Sequence, residues 1–414
     1  VNGTGTDPTE RVRVVGIGAD GWEGLSPAAR EAVTEAEVLL GSRRQLDLVP
    51  EPSGLRVAWP SPLLPALPGL LAEYADRSRC VLASGDPMFH GIGATLAKLL
   101  GPERLEVIPR PSSVSLACSR LGWPLQETRV VNLVGRAVDN VLAALEPGAR
   151  LLVLGSDGTT PSKVSELLTE HGFGRSELTV LENLGSEREL RHRTIAAELR
   201  EHTGPLHVLA VECRAEDGPR ESLDRFRTVG APGLPDDAFE HDGQLTKRDV
   251  RVTTLARLAP SPGGLLWDVG AGAGSVAIEW MRASPACRAV AVERSAERAE
   301  RITRNAARLG VPELDVVRGA APEALRDLER PDAVFIGGGV TTPDVLRTCT
   351  EALAPGGRLV VNAVTMESES IVSDWYGRLG GELVRIGVEQ AAPIGGFTAW
   401  RPAMRVTQWA VTKR

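Results

Sequence analysis

The chain has 414 residues and carries 47 Lys and Arg against 54 Asp and Glu, a formal net charge of −7. That length suits two or three ordinary domains, and the acidic balance supplies no general basic field for nucleic acid or an anionic membrane. Five scattered cysteines (Cys80, Cys118, Cys213, Cys287, Cys349) and six dispersed histidines form no C-x-x-C pair and no ligand cluster, so neither a disulfide framework nor a metal site is expected. No apolar run nears the roughly 18 residues of a membrane span, and the polar start from Val1 to Arg11 lacks the apolar core of a secretory signal. A soluble cytoplasmic protein is expected.

In chain order, a first α/β block is expected over residues 12–214. Its apolar, β-rich runs are Val12–Ile17, Val38–Leu40, Cys80–Ala83, Leu105–Ile108, Val130–Val134, Leu151–Leu154, Leu178–Leu181 and His207–Val211. Helical segments such as Pro27–Ala36 and Pro161–Glu170 lie between them, and this alternation predicts largely parallel sheets covered by helices. Directly after the first run, Gly16-Ile17-Gly18-Ala19-Asp20-Gly21 satisfies the G-x-G-x-x-G spacing of a dinucleotide loop. However, Trp22, Glu23 and Gly24 precede the helix start at Ser26-Pro27, and the next run ends in Gly41 rather than an acid. A phosphate-binding helix start is therefore not expected, nor is a nicotinamide-dependent dehydrogenase. Further on, Ser84-Gly85-Asp86-Pro87 sets a carboxylate on a sharp turn, where it either faces a cleft or caps the helix near Gly91.

Residues 215–242 are acidic and punctuated by Gly218-Pro219, Ala231-Pro232-Gly233 and Pro235-Asp236-Asp237, which predicts a linker. A second block, 243–414, has strand-like runs at Leu265–Val269, Ala289–Val292, Leu314–Val317, Ala333–Ile336 and Arg358–Asn362. Helices are expected to start near Ser275, Ser295, Pro322 and Thr342, and the block closes with Leu383–Val388 and Arg405–Val411 joined by a long loop. The strongest local signal is Leu265 to Gly274, an apolar run ending in Asp268 and then alternating glycines at Gly270, Gly272 and Gly274. Such an order predicts a strand turning sharply into a helix, with backbone free to approach a ligand. About 20 residues on, Glu293 closes the next apolar run, where a ribose hydroxyl pair needs an acceptor. The sixth position from Gly270 is Ser275, so the loop does not match a pyrophosphate cradle. Glycine turns at Gly319-Ala320-Ala321-Pro322 and Gly337-Gly338-Gly339 end the third and fourth strands at the same edge.

This pattern resembles the S-adenosylmethionine loop of the Rossmann-like class I methyltransferases. The resemblance implies cofactor contacts from Gly270, Ala271, Gly272, Ala273, Gly274, Glu293, Ala320 and Gly338. Gly243-Gln244-Leu245-Thr246-Lys247-Arg248-Asp249-Val250-Arg251, Gly319 to Leu325 and Phe335 to Gly339 resemble the corrinoid methyltransferases that act at ring carbon C-15 and decarboxylate the ring. In that group a threonine at the opening motif contacts the cofactor, which implies Thr246 here. The first block resembles the tetrapyrrole methylase family, a different fold of two α/β subdomains that also binds S-adenosylmethionine. The likeness is carried by Gly16 to Gly21, Ala83 to Gly91, Pro109 to Ser115 and Leu181-Glu182-Asn183-Leu184-Gly185-Ser186. It implies a cofactor pocket lined by Ala19, Asp86, Phe89, Ser113 and Val114, while Gly41 to Leu46 resembles the subgroup that methylates C-5.

Together these imply an α/β protein with an N-terminal tetrapyrrole methylase (two α/β subdomains) and a C-terminal Rossmann-like class I methyltransferase. The function implied is bifunctional, decarboxylating methylation of a precorrin in cobalamin biosynthesis, at C-5 by the first domain and C-15 by the second, with loss of the C-12 acetate carboxyl. Such a macrocycle is fringed with carboxylates, for which Lys247, Arg248, Arg251, Arg401 and Arg405 are candidate contacts in the second domain and Arg43, Arg44 and Arg110 in the first. Glu389 and His241 are candidate general acids; no obligatory metal is expected. Relatives of the second domain form tetramers, which implies a homo-oligomer. Two alternatives stay open: methyl transfer to another small metabolite, or one active site beside a scaffold domain.

Overall fold

The computed structural model describes residues 11–50, 54–200, 203–216 and 232–413. They form two compact units, 11–136 with 148–216 and 137–147 with 232–413.

In the first unit the leading sheet is wholly parallel. Its strands are β1 (Val12–Ile17), β2 (Val38–Gly41), β3 (Leu55–Ala58), β4 (Arg79–Ser84) and β5 (Leu105–Ile108), in spatial order β3-β2-β4-β1-β5. Helices α1 (Pro27–Thr34), α2 (Arg43–Asp47), α3 (Leu63–Glu73) and α4 (Ile92–Leu100) alternate with these strands along the chain. Val15, Leu39 and Leu82 pack on one face and Val14, Leu40 and Val81 on the other, so both faces are buried and the strands read as continuous apolar runs. Helix α2 is fixed by a reciprocal cap: Ser42 Oγ accepts from Gln45 N at 3.3 Å, and Gln45 Oε1 accepts from Ser42 N at 2.8 Å.

Helix α5 (Ser113–Leu121) then leads to a second sheet, with α6 (Thr160–Glu170) inserted in it. Its strands are β6 (Thr128–Asn132), β7 (Arg150–Leu154), β8 (Glu177–Glu182), β9 (Leu190–Ile195) and β10 (His207–Glu212), in order β6-β7-β10-β8-β9. Here β6 and β7 pair parallel, but β10 is antiparallel to β7 and β8, and β8 to β9. The expectation of largely parallel sheets fails for this sheet, because the link from β8 to β9, residues 183–189, is too short for a helical crossover. Neither β3 nor β9 was expected from the sequence; both are edge strands, whose outward side chains break the apolar run.

The second unit opens with α7 (Arg248–Leu258) and builds a seven-stranded sheet. Its strands are β11 (Leu265–Val269), β12 (Arg288–Glu293), β13 (Asp315–Arg318), β14 (Ala333–Ile336), β15 (Arg358–Ala363), β16 (Glu382–Ile386) and, after a hairpin of β17 (Glu389–Ile394) and β18 (Phe397–Pro402), β19 (Val406–Thr412). The spatial order is β13-β12-β11-β14-β15-β19-β16, parallel through β15, with β19 antiparallel to both its neighbours. Helices α8 (Ser275–Ala283), α9 (Ala296–Arg308), α10 (Val345–Ala352) and α11 (Met366–Leu379) complete the unit. Because β11 connects outward to β12 on one side while β14 lies on the other, the strand order reverses between β11 and β14. Their carboxyl ends form the switch point at which open sheets of this kind bind ligands.

Three sequence expectations change here. The linker expected over 215–242 is shorter: residues 217–231 lie outside the described residues, but Leu234, Ala238 and Phe239 are buried in the core with Leu255, Leu258 and Trp280. Their isolated apolar positions carry no periodicity, which hid them. The helix expected at Pro322 is a single turn, Glu323–Leu325. The expected long loop before the last strand is the β17–β18 hairpin, a two-stranded ribbon apart from the main sheet that leaves Phe397 82% and Trp400 71% exposed.

Candidate active sites

In the first unit, loops at the carboxyl ends of β1, β4 and β5 converge. Gly85 N donates to the Ile17 carbonyl at 3.0 Å, and Gly16 lies so close to the Gly85 carbonyl and to Arg110 N that no Cβ fits there. The glycine-rich loop closes on a group of the protein itself. Arg110 donates to the Gly24 carbonyl and pairs with Asp20, and a Cβ on Gly18 would stand 2.5 Å from Asp20 Oδ1 and 3.1 Å from Arg110 Nε. Arg110, a candidate for substrate carboxylates, is thus committed to its own loop. The G-x-G-x-x-G spacing wraps a guanidinium, not a pyrophosphate.

Between the two sheets of this unit lies a cleft lined by the end of β1 with Gly18 and Ala19, by Ser84 and Gly85, by Arg44, by Ser113 and Leu116, and by Leu181, His207 and Val208. Ala19 and Ser113 line this cleft. Val114 does not: it is 1% exposed and packs in the core with Leu152 and Leu181, because at the second position of α5 its side chain faces the sheet. Asp86 Oδ1 accepts from Met88 N at 2.9 Å and closes its own turn; the cap of α4 is Gly91, with no side-chain bond. Phe89 is exposed, its ring edge-on to His90 at 4.8 Å. Neither Asp86 nor Phe89 lines the cleft. Sequence reasoning missed His207. Its Nδ1 lies 2.8 Å from the Gly204 carbonyl and so carries the proton, leaving Nε2 buried without a partner.

In the second unit the site is built on the β11 turn. Gly270, Gly272 and Gly274 have φ of 70°, 61° and 76°, the left-handed region open to glycine. A Cβ on Gly270 would meet the Gly338 backbone at 2.8 Å, one on Gly272 the Gln244 carbonyl at 2.8 Å, and one on Gly274 the Ile302 Cγ2 at 2.7 Å. The loop after β14 and the segment before α7 are therefore packed directly on this turn. Glu293 is 4% exposed and braces it, with Oε2 accepting from Gly272 N and Oε1 from Ser295 N, both at 3.0 Å. Each carboxylate oxygen keeps a second lone pair for a ligand.

Two further residues support the turn: Asn305, which escaped the sequence reading, and Asp268, singled out there only as the acid that closes the apolar run. Asn305, fully buried on α9, donates to the carbonyls of Ala273 and Glu240 at 3.0 Å each, clamping the glycine turn to the segment before α7. Asp268 Oδ2 accepts from Ala277 N at 3.0 Å while Oδ1 is buried without a partner, and burial pushes this carboxyl up to about 7, with the charge of Glu293 adding to the effect. Asp242 fastens the same leading segment. It accepts from Gln244 N at 3.1 Å and from Arg298 Nε at 2.8 Å, and Arg298 holds its carboxyl well below the usual range.

The expected substrate cations divide. Arg251 is fully buried: Nε lies 2.5 Å from Glu279 Oε1, NH1 donates to the Thr246 carbonyl at 2.6 Å, and the guanidinium stands 4.8 Å over the Phe239 ring. It is a structural hub and not a substrate contact, because its acids, Asp236 and Glu279, fold around it. Lys247 lies 3.6 Å from Asp236 Oδ2, while Arg248, Arg401 and Arg405 are exposed. Thr246 is half-buried at the glycine turn's flank, Ala320 is exposed after β13, and Gly338 abuts Gly270. His241 is exposed and its Nδ1 accepts from Gly243 N at 3.1 Å; Glu389 is exposed on the hairpin. Among the described residues, no group of three or more His, Cys, Asp or Glu is placed to hold a metal ion, and no helix is long and apolar enough to cross a membrane.

Two family models match the chain. The tetrapyrrole (corrin/porphyrin) methylases match residues 11–200, and the precorrin methyltransferase domain matches residues 237–413. A precorrin-6Y C(5,15)-methyltransferase [decarboxylating] from Sinorhizobium sp is 48% identical over 402 residues, covering 97% of this chain and 96% of that protein. The protein of the same name from Mycobacterium tuberculosis is 48% identical over 406 residues, covering 97% of this chain and 99% of its own length. The crystal structure of the C-terminal domain of precorrin-6Y C5,15-methyltransferase from Rhodobacter capsulatus is 45% identical, covers 45% of this chain and 100% of its own, and superposes with a TM-score of 0.43. Identity of this degree over nearly the full length of both chains establishes that the chain belongs to the family of decarboxylating precorrin-6Y C(5,15)-methyltransferases.

Proposed function

We propose that this chain methylates a precorrin-6B (precorrin-6Y) macrocycle twice and decarboxylates its C-12 acetate to give precorrin-8. The first domain acts at C-5 and the second, starting near residue 237, at C-15. The observation that carries this reading is the near end-to-end match to two-domain relatives, with a separate family model on each half. The methyl donor of the family is S-adenosylmethionine. Bound, it supplies a methyl group on positively charged sulfur, an electrophile that needs no further activation.

The second unit's residues fit such a ligand. Asp268 Oδ1 is a buried acceptor lacking a donor, the glycine turn offers backbone at the switch point, and Glu293 has lone pairs left for ribose hydroxyls. Thr246, Ala271, Ala273, Ala320 and Gly338 would complete this pocket; Ala19 and Ser113 belong to the cleft of the first unit. The protein's task at each site is to hold donor and macrocycle in line and exclude water. At the second site, loss of carbon dioxide from the acetate leaves its electron pair in the conjugated ring, so that C-15 becomes the nucleophile toward the methyl carbon. The residues there need only desolvate that carboxylate and tolerate charge entering the ring. The chain acts in the cytoplasm as a homo-oligomer built through the second domain, a reading supported by the exposed Phe397 and Trp400 of the hairpin.

The test is to incubate the full chain with the macrocycle and labelled donor and weigh the products. Gain of two methyl groups with loss of one carbon dioxide is the expected result, together with two equivalents of bound S-adenosylhomocysteine. One equivalent would favour a scaffold role for one domain, and an unchanged macrocycle would refute the substrate assignment.

A further inference from the structure

Several arginines in the first unit are neutralised by carboxylates of the protein. Arg13 pairs with Glu35, Arg30 with Glu23, Arg110 with Asp20 and Arg120 with Glu189. Arg44 differs. It stands on the wall of the cleft, and among the described residues no carboxylate pairs with it; the other ionisable residue lining that cleft is His207. Arg44 NH2 donates to Ser84 Oγ at 2.9 Å, and Gln45 Nε2 donates to the same oxygen at 3.0 Å. With both lone pairs of Ser84 Oγ engaged, its own O–H is free to turn toward a ligand.

The placement is rigid. Gln45 is 6% exposed, closes the reciprocal cap of α2 through its Oε1, and ties the helix to the end of β4 through its Nε2. A single bond to Ser84 leaves most of the five guanidinium donors of Arg44 unused. Arg44 is exposed on the cleft wall, so these free donors are open to a ligand that enters it. A planar guanidinium fork matches a carboxylate in two parallel bonds.

We propose that Arg44, oriented by Ser84 and Gln45, is the carboxylate anchor of the cleft in the first domain. The inference rests on the methyl-transfer reading of that cleft. The carboxylate belongs either to the methionyl end of the donor or to an acetate or propionate arm of the macrocycle, and the test separates the two.

Arg44→Gln and Arg44→Lys are made in the full chain. Binding of S-adenosylhomocysteine and of 5′-methylthioadenosine, which lacks the carboxylate, is measured by calorimetry, and the rate of methyl transfer to C-5 is followed by product mass. If the anchor grips the donor, R44Q weakens S-adenosylhomocysteine at one of two sites by about 10- to 100-fold and leaves 5′-methylthioadenosine unchanged. If it grips the macrocycle, both nucleosides bind as before and KM for the macrocycle rises by that factor. In either case R44K, which keeps the charge and fold but loses the fork, gives a smaller loss. Unchanged constants for all three ligands in R44Q, with two binding equivalents retained, overturn the assignment of Arg44. A single equivalent in the unsubstituted chain overturns instead the methyl-transfer reading of the cleft.

Discussion

Replacing Arg251 by methionine decides whether this side chain holds the second domain together or meets a ligand. The Arg251 and Glu279 side chains are 0% and 2% exposed, and their contact is 2.5 Å. The guanidinium also donates to the carbonyls of Thr246 and Leu234 and lies 3.3 Å from Asp236, so it joins α7, α8 and the segment leading into both. Methionine refills much of the stem volume but strands Glu279, which keeps only Gly233 N at 2.5 Å and Leu234 N at 3.2 Å as donors. Removing one partner of a buried pair costs about 3–5 kcal/mol. In a domain of this size each kcal/mol lowers the melting temperature by about 2–4 °C, so a fall of roughly 6–20 °C is expected. The assay is thermal melting followed by the fluorescence of the fully buried Trp267, Trp280 and Trp409, all in the second unit. Adding Glu279→Leu removes the stranded charge and recovers part of the loss. An unshifted melt combined with a raised KM for the macrocycle would refute the reasoning and return Arg251 to the substrate site.

Three further outcomes are expected. Gly272→Ala meets both a left-handed φ of 61° and the Gln244 carbonyl at 2.8 Å, so it costs about 1–2 kcal/mol from the backbone alone and weakens S-adenosylhomocysteine at the second site; Gly395→Ala, at φ 57° in open space on the hairpin, pays the backbone part but leaves binding intact. Asp268 has its folded pKa raised to about 7 from 3.8, so the folded state holds the extra proton between those values. Stability of the second domain therefore falls as pH rises through that window and levels off above it, and melts of Asp268→Asn against pH lack this slope. Finally, Phe397→Ser with Trp400→Ser lowers the mass measured by light scattering to that of a smaller assembly, while an unchanged mass would remove the hairpin from the interface.

What the sequence could reveal followed from which contacts are local. Strands covered on both faces, such as β4 and β11, announce themselves by apolar runs, Cys80 to Ala83 and Leu265 to Trp267, whereas β3, β9 and the β17–β18 hairpin sit at edges or apart and carry mixed side chains. The glycines of the β11 turn were legible as positive-φ positions, but not the reason for each. Gly270, Gly272 and Gly274 turn their missing Cβ toward Gly338, Gln244 and Ile302, so the pattern records chain segments crossing as much as ligand approach. Charge was the least legible. Arg44, Arg110 and Arg251 look alike in the sequence, and their roles diverge only through acids distant along the chain: Asp20 for Arg110, Asp236 and Glu279 for Arg251, none for Arg44 among the described residues. Asn305 makes the same point from the polar side, since one amide on α9 bonds carbonyls 32 and 65 residues away. A motif thus locates the turn that a ligand approaches, while the partner census of each ionic group separates side chains that serve the ligand from those that serve the fold. By that criterion Arg251, and with it Lys247, serves the fold, whereas Arg44 stands on the wall of a cleft with its charge left to a ligand.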